Sequence, residues 1–377
     1  MSTFLIIFFI IYGGMHLYAS RKARIAFSFG TKVAVPFYLF MLLMVLAPML
    51  VRFLERSHYL VPARLIALSG YSWMGVLLLF VSMSLIIDLY RLSIFLSARI
   101  IKRDLAHILP SARLSFLIPL GLSLIIAIFG IFDTGKIRVE RVSIKSSKIP
   151  KGAGSIRIAQ ISDLHIGLII TEGRVKKVLD VINKEQPDML VSTGDLVDGQ
   201  APALDGISGL FKDIKPRLGK YAVTGNHEYF AGLDHALEFT GKAGFVVLRG
   251  AGATVSGVIN IAGVDDMRGS SFDDYRGEDE RSLLKGLPED RFTQLLKHRP
   301  VIDERSVGLF DLQLSGHTHG GQIFPFGLAV RYFFPHMRGL AEPAEGSRLY
   351  TNRGTGTWGP PFRFLSPPEV TIFEISH

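Results

Sequence analysis

Four long apolar runs, residues 4–19, 33–51, 65–89 and 114–132, fill most of the first third of this 377-residue chain. A helix needs about 20 apolar residues to cross the hydrocarbon layer of a bilayer. Each run approaches or exceeds that length, so four spanning helices are expected. The first is the shortest and has the size of a signal-peptide core. Against that reading, Met1–Thr3 carries no positive charge and three further runs follow. Pro36, Pro48 and Pro119 fall inside runs, where membrane helices tolerate them.

Charge separates this third from the rest. The chain holds 42 Lys+Arg against 33 Asp+Glu, a net +9 that invites a nucleic-acid reading. Residues 1–132, however, carry 12 of the basic residues and only three acids (Glu55, Asp88 and Asp104), while the remainder carries 30 of each. The excess belongs to the apolar third, so no nucleic-acid partner is expected and the lipid bilayer is. Arg21, Lys22, Arg24 and Lys32 follow the first run, and Arg91, Arg99, Lys102, Arg103 and Arg113 follow the third. Only Arg52, Arg56 and Arg64 follow the second. The positive-inside rule then puts the first and third loops in the cytoplasm, with both termini and everything after residue 132 outside. Lys136, Arg138 and Arg141 weigh the other way. In the third loop, Ile94, Ala98, Ile101, Leu105 and Ile108 recur at helical spacing opposite Arg99, Lys102 and Arg103, which reads as an amphipathic helix. It would lie on the inner membrane surface or pack on its own bundle.

Three segments follow from these patterns: a transmembrane region over 1–132, a linker with a first strand over 133–155, and a soluble domain over 156–377. In the last, Ile156–Ile161 reads as a buried strand and Glu172–Glu185 as a helix with Val175, Val178, Leu179 and Ile182 on one face. Further strands are expected at Asp188–Thr193, Lys220–Thr224, Phe292–Lys297, Asp311–Ser315, Ser347–Asn352 and Glu369–Ile375. Residues 245–264 read as a β meander, and helices are expected near Leu204–Phe211, at Leu233–Ala243 and from Pro300. The alternation predicts a layered α/β domain with mixed sheets.

Polar groups collect where these strands end. Asp163 and His165 follow the first in Ser-Asp-Leu-His, two apart, so that on extended chain they face one way. Asp195 follows the second in Gly-Asp-Leu-Val-Asp, and Asn226 and His227 follow the third in Gly-Asn-His-Glu. His298 stands in Lys-His-Arg-Pro, and His317 and His319 in Gly-His-Thr-His-Gly-Gly. Glycines 194, 225 and 316 precede three of these residues, where a strand must turn sharply. Carboxylate, imidazole and amide oxygen without sulfur suit a two-metal hydrolytic site. The absence of cysteine excludes a thiolate metal site, a disulfide framework and cysteine catalysis. A lone histidine is most often an ordinary hydrogen-bonded residue, but five such elements in order, each after a β-run, point to one site.

The series SDLH, GDLVDG, GNHEY, KHRP and GHTHGGQ, with the tail NRGTGTWGPP, resembles the calcineurin-like metallophosphoesterases, and within them the membrane-linked bacterial YaeI/YkuE-type phosphodiesterases. The resemblance covers residues 156–375. It implies a four-layer αββα sandwich. The all-α transmembrane region of about four helices lies outside the resemblance, and its apolar runs make a multi-pass protein of the bacterial inner membrane the expectation. The resemblance also implies two divalent ions of the Mn, Fe or Zn type, one held by Asp163, His165 and His319, the other by Asn226, His298 and His317, with Asp195 between them. A metal-bridging hydroxide would then attack phosphorus in line, in a phosphodiester or pyrophosphate. His227 matches the family's histidine beside the metals and would protonate the leaving oxygen or bind the phosphoryl group.

Other assignments are weighed against plainer ones. Arg353 would clamp phosphate or form a structural ion pair. Glu228 and Asp198 would orient the site or lie on the surface. Trp358 with Pro360, Pro361 and Phe362, and Phe333-Phe334-Pro335, would line an acyl-chain or membrane-facing groove, or belong to the core. The membrane third makes a lipid-linked phosphoester the expected substrate. A UDP-diacylglucosamine-type pyrophosphatase is the alternative enzyme, and a catalytically silent membrane sensor or scaffold the alternative of another class.

Overall fold

The computed structural model describes residues 3–199, 204–267, 269 and 279–377. The chain divides into two compact units: Met1–Asp133 with Gly359–Phe364, and Thr134–Trp358 with Leu365–His377.

The first unit is built from α1 (Thr3–Phe27), α2 (Thr31–Arg56), α3 (Leu60–Ile101) and α4 (Leu114–Thr134). Among the described residues, the last three are long and apolar enough to cross a membrane. α1 contains the run expected as a fourth span, but it is not among those three; its apolar stretch is short and its last part carries Arg21, Lys22 and Arg24. Where lipid tails match the helices in polarity, close approach of small residues drives packing. Ala63, Ala67 and Gly70 form such a stripe on α3, and a Cβ at Gly70 would lie 2.5 Å from the Cβ of Ala47 on α2. Gly130 of α4 meets the Gly359–Phe364 segment: a Cβ there would stand 2.6 Å from the Arg363 carbonyl oxygen. Asp88 of α3 accepts from Lys22 Nζ at 2.5 Å and from Tyr18 Oη at 2.6 Å. His16 is buried between the Tyr12 carbonyl at 2.8 Å and Trp73 Nε1–H at 2.9 Å. The amphipathic helix expected after the third run is no separate element. α3 continues through 42 residues, about 63 Å at 1.5 Å per residue. No glycine or proline interrupts residues 76–101, and the helix ends where Lys102 turns left-handed at φ 55°.

The second unit contains β1 (Arg138–Lys145), β2 (Ile156–Ile161), β3 (Met189–Ser192), β4 (Lys220–Ala222), β5 (Val246–Val247), β6 (Ala251–Val255), β7 (Ile259–Gly263), β8 (Phe292–Leu296), β9 (Leu312–Ser315), β10 (Gly339–Ala344), β11 (Ser347–Thr351) and β12 (Glu369–Ser376). One sheet runs β1-β12-β2-β3-β4-β5, parallel except between β12 and β2. The other runs β10-β11-β9-β8-β7-β6, with four parallel central strands and an antiparallel pair at each edge. Side chains alternate along each strand. Ile156, Ile158, Met189, Val191 and Phe373 of the first sheet therefore meet Ile261, Phe292, Leu312 and Leu314 of the second in one core. On its other face the first sheet presents Ala159, Ile161 and Leu190 to α5 (Glu172–Glu185), α6 (Asp205–Leu210) and α8 (Leu233–Lys242). α7 (Asn226–Ala231) leads into α8, and α9 (Glu280–Lys285) places Leu284 on the outer face of the second sheet with Ala262, Leu295 and Phe310. The order helix, sheet, sheet, helix is the expected four-layer fold with mixed sheets.

Three local expectations change. Residues 245–264 are no meander: β5 closes the edge of the first sheet beside β4, the chain turns at Gly250 (φ 65°), and only β6 and β7 form a hairpin in the second. The helix expected from Pro300 is a single turn, Glu304–Ser306, capped by the Asp303 carboxylate on the Arg305 N–H at 3.0 Å and ended before Gly308 at φ 80°. The Phe333 region is not core, because it ends an exposed helix, α10 (Phe326–Phe333). For the sandwich itself, Phe373 is fully buried and stands edge-on to Tyr350 at 5.0 Å between ring centres. Phe373→Ala should cost about 3–5 kcal/mol, seen as an earlier urea midpoint of the domain.

Candidate metal centre

β2, β3 and β4 are parallel, as are β8 and β9, and ligands of layered α/β proteins gather outside carboxyl ends of strands. Each predicted site element leaves one of these ends. The turns are tight. Asp163, His165, Asp195, His317 and His319 all have positive φ, between 50° and 71°. Such non-glycine conformations cost about 1–3 kcal/mol each and persist where their surroundings enforce them. Here the backbone does so: Asp163 N–H donates to Gly194 O at 3.0 Å, His165 N–H to Asp195 O at 3.0 Å, and Gly316 N–H to His298 O at 2.9 Å. Gly194 has φ 94°, and a Cβ there would lie 2.7 Å from His298 Nδ1. A Cβ on Gly316 would overlap the Ser162 hydroxyl and the Asp163 carboxylate.

Three triads of acceptor atoms result; one is His165, Asp195 and His227, and the other two hold only predicted ligands. Asp163, His165 and His319 form one, with His319 Nε2 3.5 Å from Asp163 Oδ1 and 3.1 Å from His165 Nε2. Asp195, His298 and His317 form the other, with His298 Nε2 3.2 Å from Asp195 Oδ2 and 3.1 Å from His317 Nδ1. Asp195 Oδ2 also stands 3.8 Å from His165 Nε2, so this carboxylate faces both groups. Asn226 Oδ1 and His165 Nδ1 are buried without a hydrogen-bond partner among the described residues. Buried polar atoms are otherwise paired in roughly 90% or more of cases. Converging lone pairs, an unpartnered amide oxygen and no sulfur fit divalent cations that take nitrogen and oxygen ligands.

The surroundings aim these lone pairs. His298 Nδ1–H donates to the Thr193 carbonyl at 2.8 Å, which leaves Nε2 turned inward. Asp163 accepts from Ser162 Oγ at 2.5 Å and from His317 N–H at 3.0 Å. The His227 N–H holds Asp195 Oδ1 at 2.8 Å, leaving Oδ2 to the imidazoles. Glu228 accepts from the N–H groups of Gly225 at 2.7 Å, Asp195 at 3.0 Å, Leu196 at 2.7 Å and Val197 at 3.3 Å, tying the turn after β3 to the start of α7. Ser162, the Thr193 carbonyl and Ser366, which donates to the His319 carbonyl at 2.7 Å, carry no signal in sequence. Backbone acceptors and small hydroxyls acquire such roles only through the fold.

Electrostatics follow from burial and crowding. Burial pushes the Asp163 carboxyl up to about 6 and the His165 imidazole down to about 4. Burial also opposes charge on His298, yet the Asp195 and Asp163 carboxylates outweigh it and lift that imidazole to about 10. Asp195 is likewise opposed by burial but held well below the carboxylate range by His298 and His227. The centre thus draws positive charge, which a bound cation would supply in place of a proton. His227 Nδ1 stands 2.5 Å from Asp198 Oδ1, and against burial the Asp198 and Asp195 carboxylates raise its imidazole to about 9. Its ring packs edge-on to His165 at 4.6 Å and faces the half-exposed Trp358 at 6.0 Å. Arg353 pairs with Glu140 and Glu369, which is the ion-pair alternative to a phosphate clamp.

Comparison with known proteins matches the same region. The model of the calcineurin-like phosphoesterases covers residues 156–321. An uncharacterized metallophosphoesterase of Aquifex aeolicus is 42% identical over 255 residues, 67% of this chain and 97% of that one. YkuE of Bacillus subtilis, an uncharacterized metallophosphoesterase, is 34% identical over 62% of this chain and 83% of its own length. A transmembrane protein with metallophosphoesterase domain of Danio rerio is 30% identical over 66% of this chain and 59% of its own. The close fit at Gly316 yields a direct check: Gly316→Ala should leave circular dichroism unchanged while Mn²⁺ retained after gel filtration, measured by mass spectrometry, falls at least several-fold.

Proposed function

Because this chain belongs to the calcineurin-like phosphoesterases, a family of metal-dependent hydrolases, we propose that it is a membrane-anchored phosphodiesterase or pyrophosphatase acting on a lipid-linked phosphoester. The observation that carries the reading is the pair of acceptor triads facing a common Asp195, in a chain whose other unit offers three helices able to cross a membrane. Asp163, His165 and His319 would hold one divalent ion and Asn226, His298 and His317 the other, with Asp195 shared. Bound there, such ions supply Lewis acidity toward phosphoryl oxygens and lower the pKa of coordinated water.

The protein's own groups do the rest. Ser162, Thr193 and Glu228 keep the ligands aimed, so little reorganisation is needed when phosphate arrives. Asp198 occupies His227 Nδ1, which leaves Nε2 as the atom that serves the phosphoryl or leaving oxygen. Basic residues after the first and third apolar runs support a multi-pass arrangement in a bacterial inner membrane with the catalytic unit on the extracytoplasmic face. A reporter fused after His377 reads that orientation; activity of the reporter on the cytoplasmic side would reverse it and favour the pyrophosphatase of UDP-diacylglucosamine type.

Full-length protein loaded with Mn²⁺ should hydrolyse lipid-linked diesters faster than soluble nucleotide diesters, and the opposite preference would sink the substrate reading. Chelation should abolish turnover and added Mn²⁺ restore it; an inert metal-loaded protein would instead be a scaffold. His227→Ala should lower kcat about 10²–10⁴-fold with metal content near that of the parent. Loss of metal together with activity would make His227 structural.

A further inference from the structure

The rim that carries the metal centre also carries an apolar surface. A surface helix ordinarily turns one stripe of side chains to the core, yet α10 has no buried residue. Phe326 is 47% exposed, Leu328 64%, Tyr332 83% and Phe333 72%, and Phe324, two residues before the helix, is 47% exposed. Single exposed apolar residues are ordinary, whereas a contiguous group marks a contact surface.

This helix is firmly attached. The loop bearing His317 and His319 packs on it so closely that a Cβ on Gly321 would lie 2.3 Å from Gly327 Cα. Thr318 Oγ1 donates to the Met337 carbonyl at 2.7 Å, and Thr351 Oγ1 to the His336 carbonyl at 2.7 Å. Phe334, just past its end, stands edge-on to His317 at 5.2 Å. An object bound to α10 is therefore held at a fixed place relative to the metal-binding loop.

Two observations identify what covers it. Residues 324–341 contain no Asp or Glu, while Arg331 and Arg338 are exposed, and aromatic side chains with arginines suit the boundary between anionic headgroups and acyl chains. The second is topological. β1 runs parallel to β12 and β12 antiparallel to β2, so Arg138 at the start of β1 lies at the same rim as the carboxyl end of β2 that leads to Asp163. Only three residues separate Arg138 from Thr134, the last residue of the membrane-capable α4. Fully extended, that connection spans about 14 Å. The chain thus passes from an apolar helix into the catalytic unit at the catalytic rim.

We propose that α10, with Phe324, is a membrane-contact helix that lies in the bilayer interface, its aromatic side chains among the upper acyl chains and Arg331 and Arg338 at anionic headgroups. It holds the metal centre at the lipid surface, whichever phosphoester is cut.

The chain has no cysteine, so single sites can be labelled cleanly. Phe333→Cys, Leu328→Cys and, at the opposite end of the β10–β11 hairpin, Glu345→Cys would each carry an environment-sensitive fluorophore. The full-length protein would be reconstituted in nanodiscs containing phosphatidylglycerol and spin-labelled lipid. The probes at 333 and 328 should shift to the blue and be quenched by spin-labelled lipid at least threefold more than the probe at 345. Equal quenching at the three sites overturns the proposal. So does a blue shift that lipid does not quench and that appears only in discs holding two copies, which would assign the face to a second copy of the chain. The readout needs no substrate, so it stands or fails separately from the lipid-linked reading of the reaction.

Discussion

The catalytic unit depends on one buried carboxylate. Asp195 stands 3.2 Å from His298 and 3.8 Å from His165, takes the His227 N–H on its other oxygen, and gives its own N–H to Glu228. An uncompensated charge at such depth is very costly, and removing one partner of a buried pair typically costs about 3–5 kcal/mol. The loops after β2, β3, β4, β8 and β9 therefore have to converge on this residue and on positive charge. In the loops after β2, β3 and β9 the backbone turns left-handed at Asp163, His165, Asp195, His317 and His319 to bring these short side chains together.

Much of this was legible because the chemistry-bearing residues sit where strands end. Buried parallel strands read as short apolar runs, and the polar residue after each run marks the rim. The helix over Glu172–Glu185 was legible for a similar reason, as Val175, Val178, Leu179 and Ile182 form one buried stripe. What escaped the sequence was decided at long range. β5 has two residues, too few to show a period, and belongs to the first sheet only because β4 lies beside it. α10 was missed as a helix because its apolar residues turn to no core. Thr193 aims His298 through a carbonyl that any residue possesses. The extent of α3 was hidden because an apolar span and an amphipathic segment differ in composition while sharing one backbone period.

The net charge of +9 acquires a different meaning from this arrangement. Residues 133–377 carry no net charge, and within them Arg353 is held by Glu140 and Glu369, Arg249 by Asp265, and Arg299 by Asp266. These guanidinium groups are committed to carboxylates of the fold. The centre around Asp195 stands apart from these pairs, its imidazoles and carboxylates drawing positive charge inward.

Two solvents then account for the two ways the chain packs. In the helical unit, Ala47, Ala63, Ala67 and Gly70 bring backbones together, because apolar area gives little advantage where lipid is the alternative. In the catalytic unit, Phe292, Leu312, Phe373 and their neighbours bury area against water, and the outer sheet faces do the same with helices. α10 follows neither rule: its aromatics are too large for the small-residue mode and too exposed for the aqueous one. A third environment, half lipid and half water, reconciles Tyr332 and Phe333 with Arg331 on a single turn of helix. On the proposal made above, the aromatic rim would serve the site, since the loop it is pinned to carries His317 and His319.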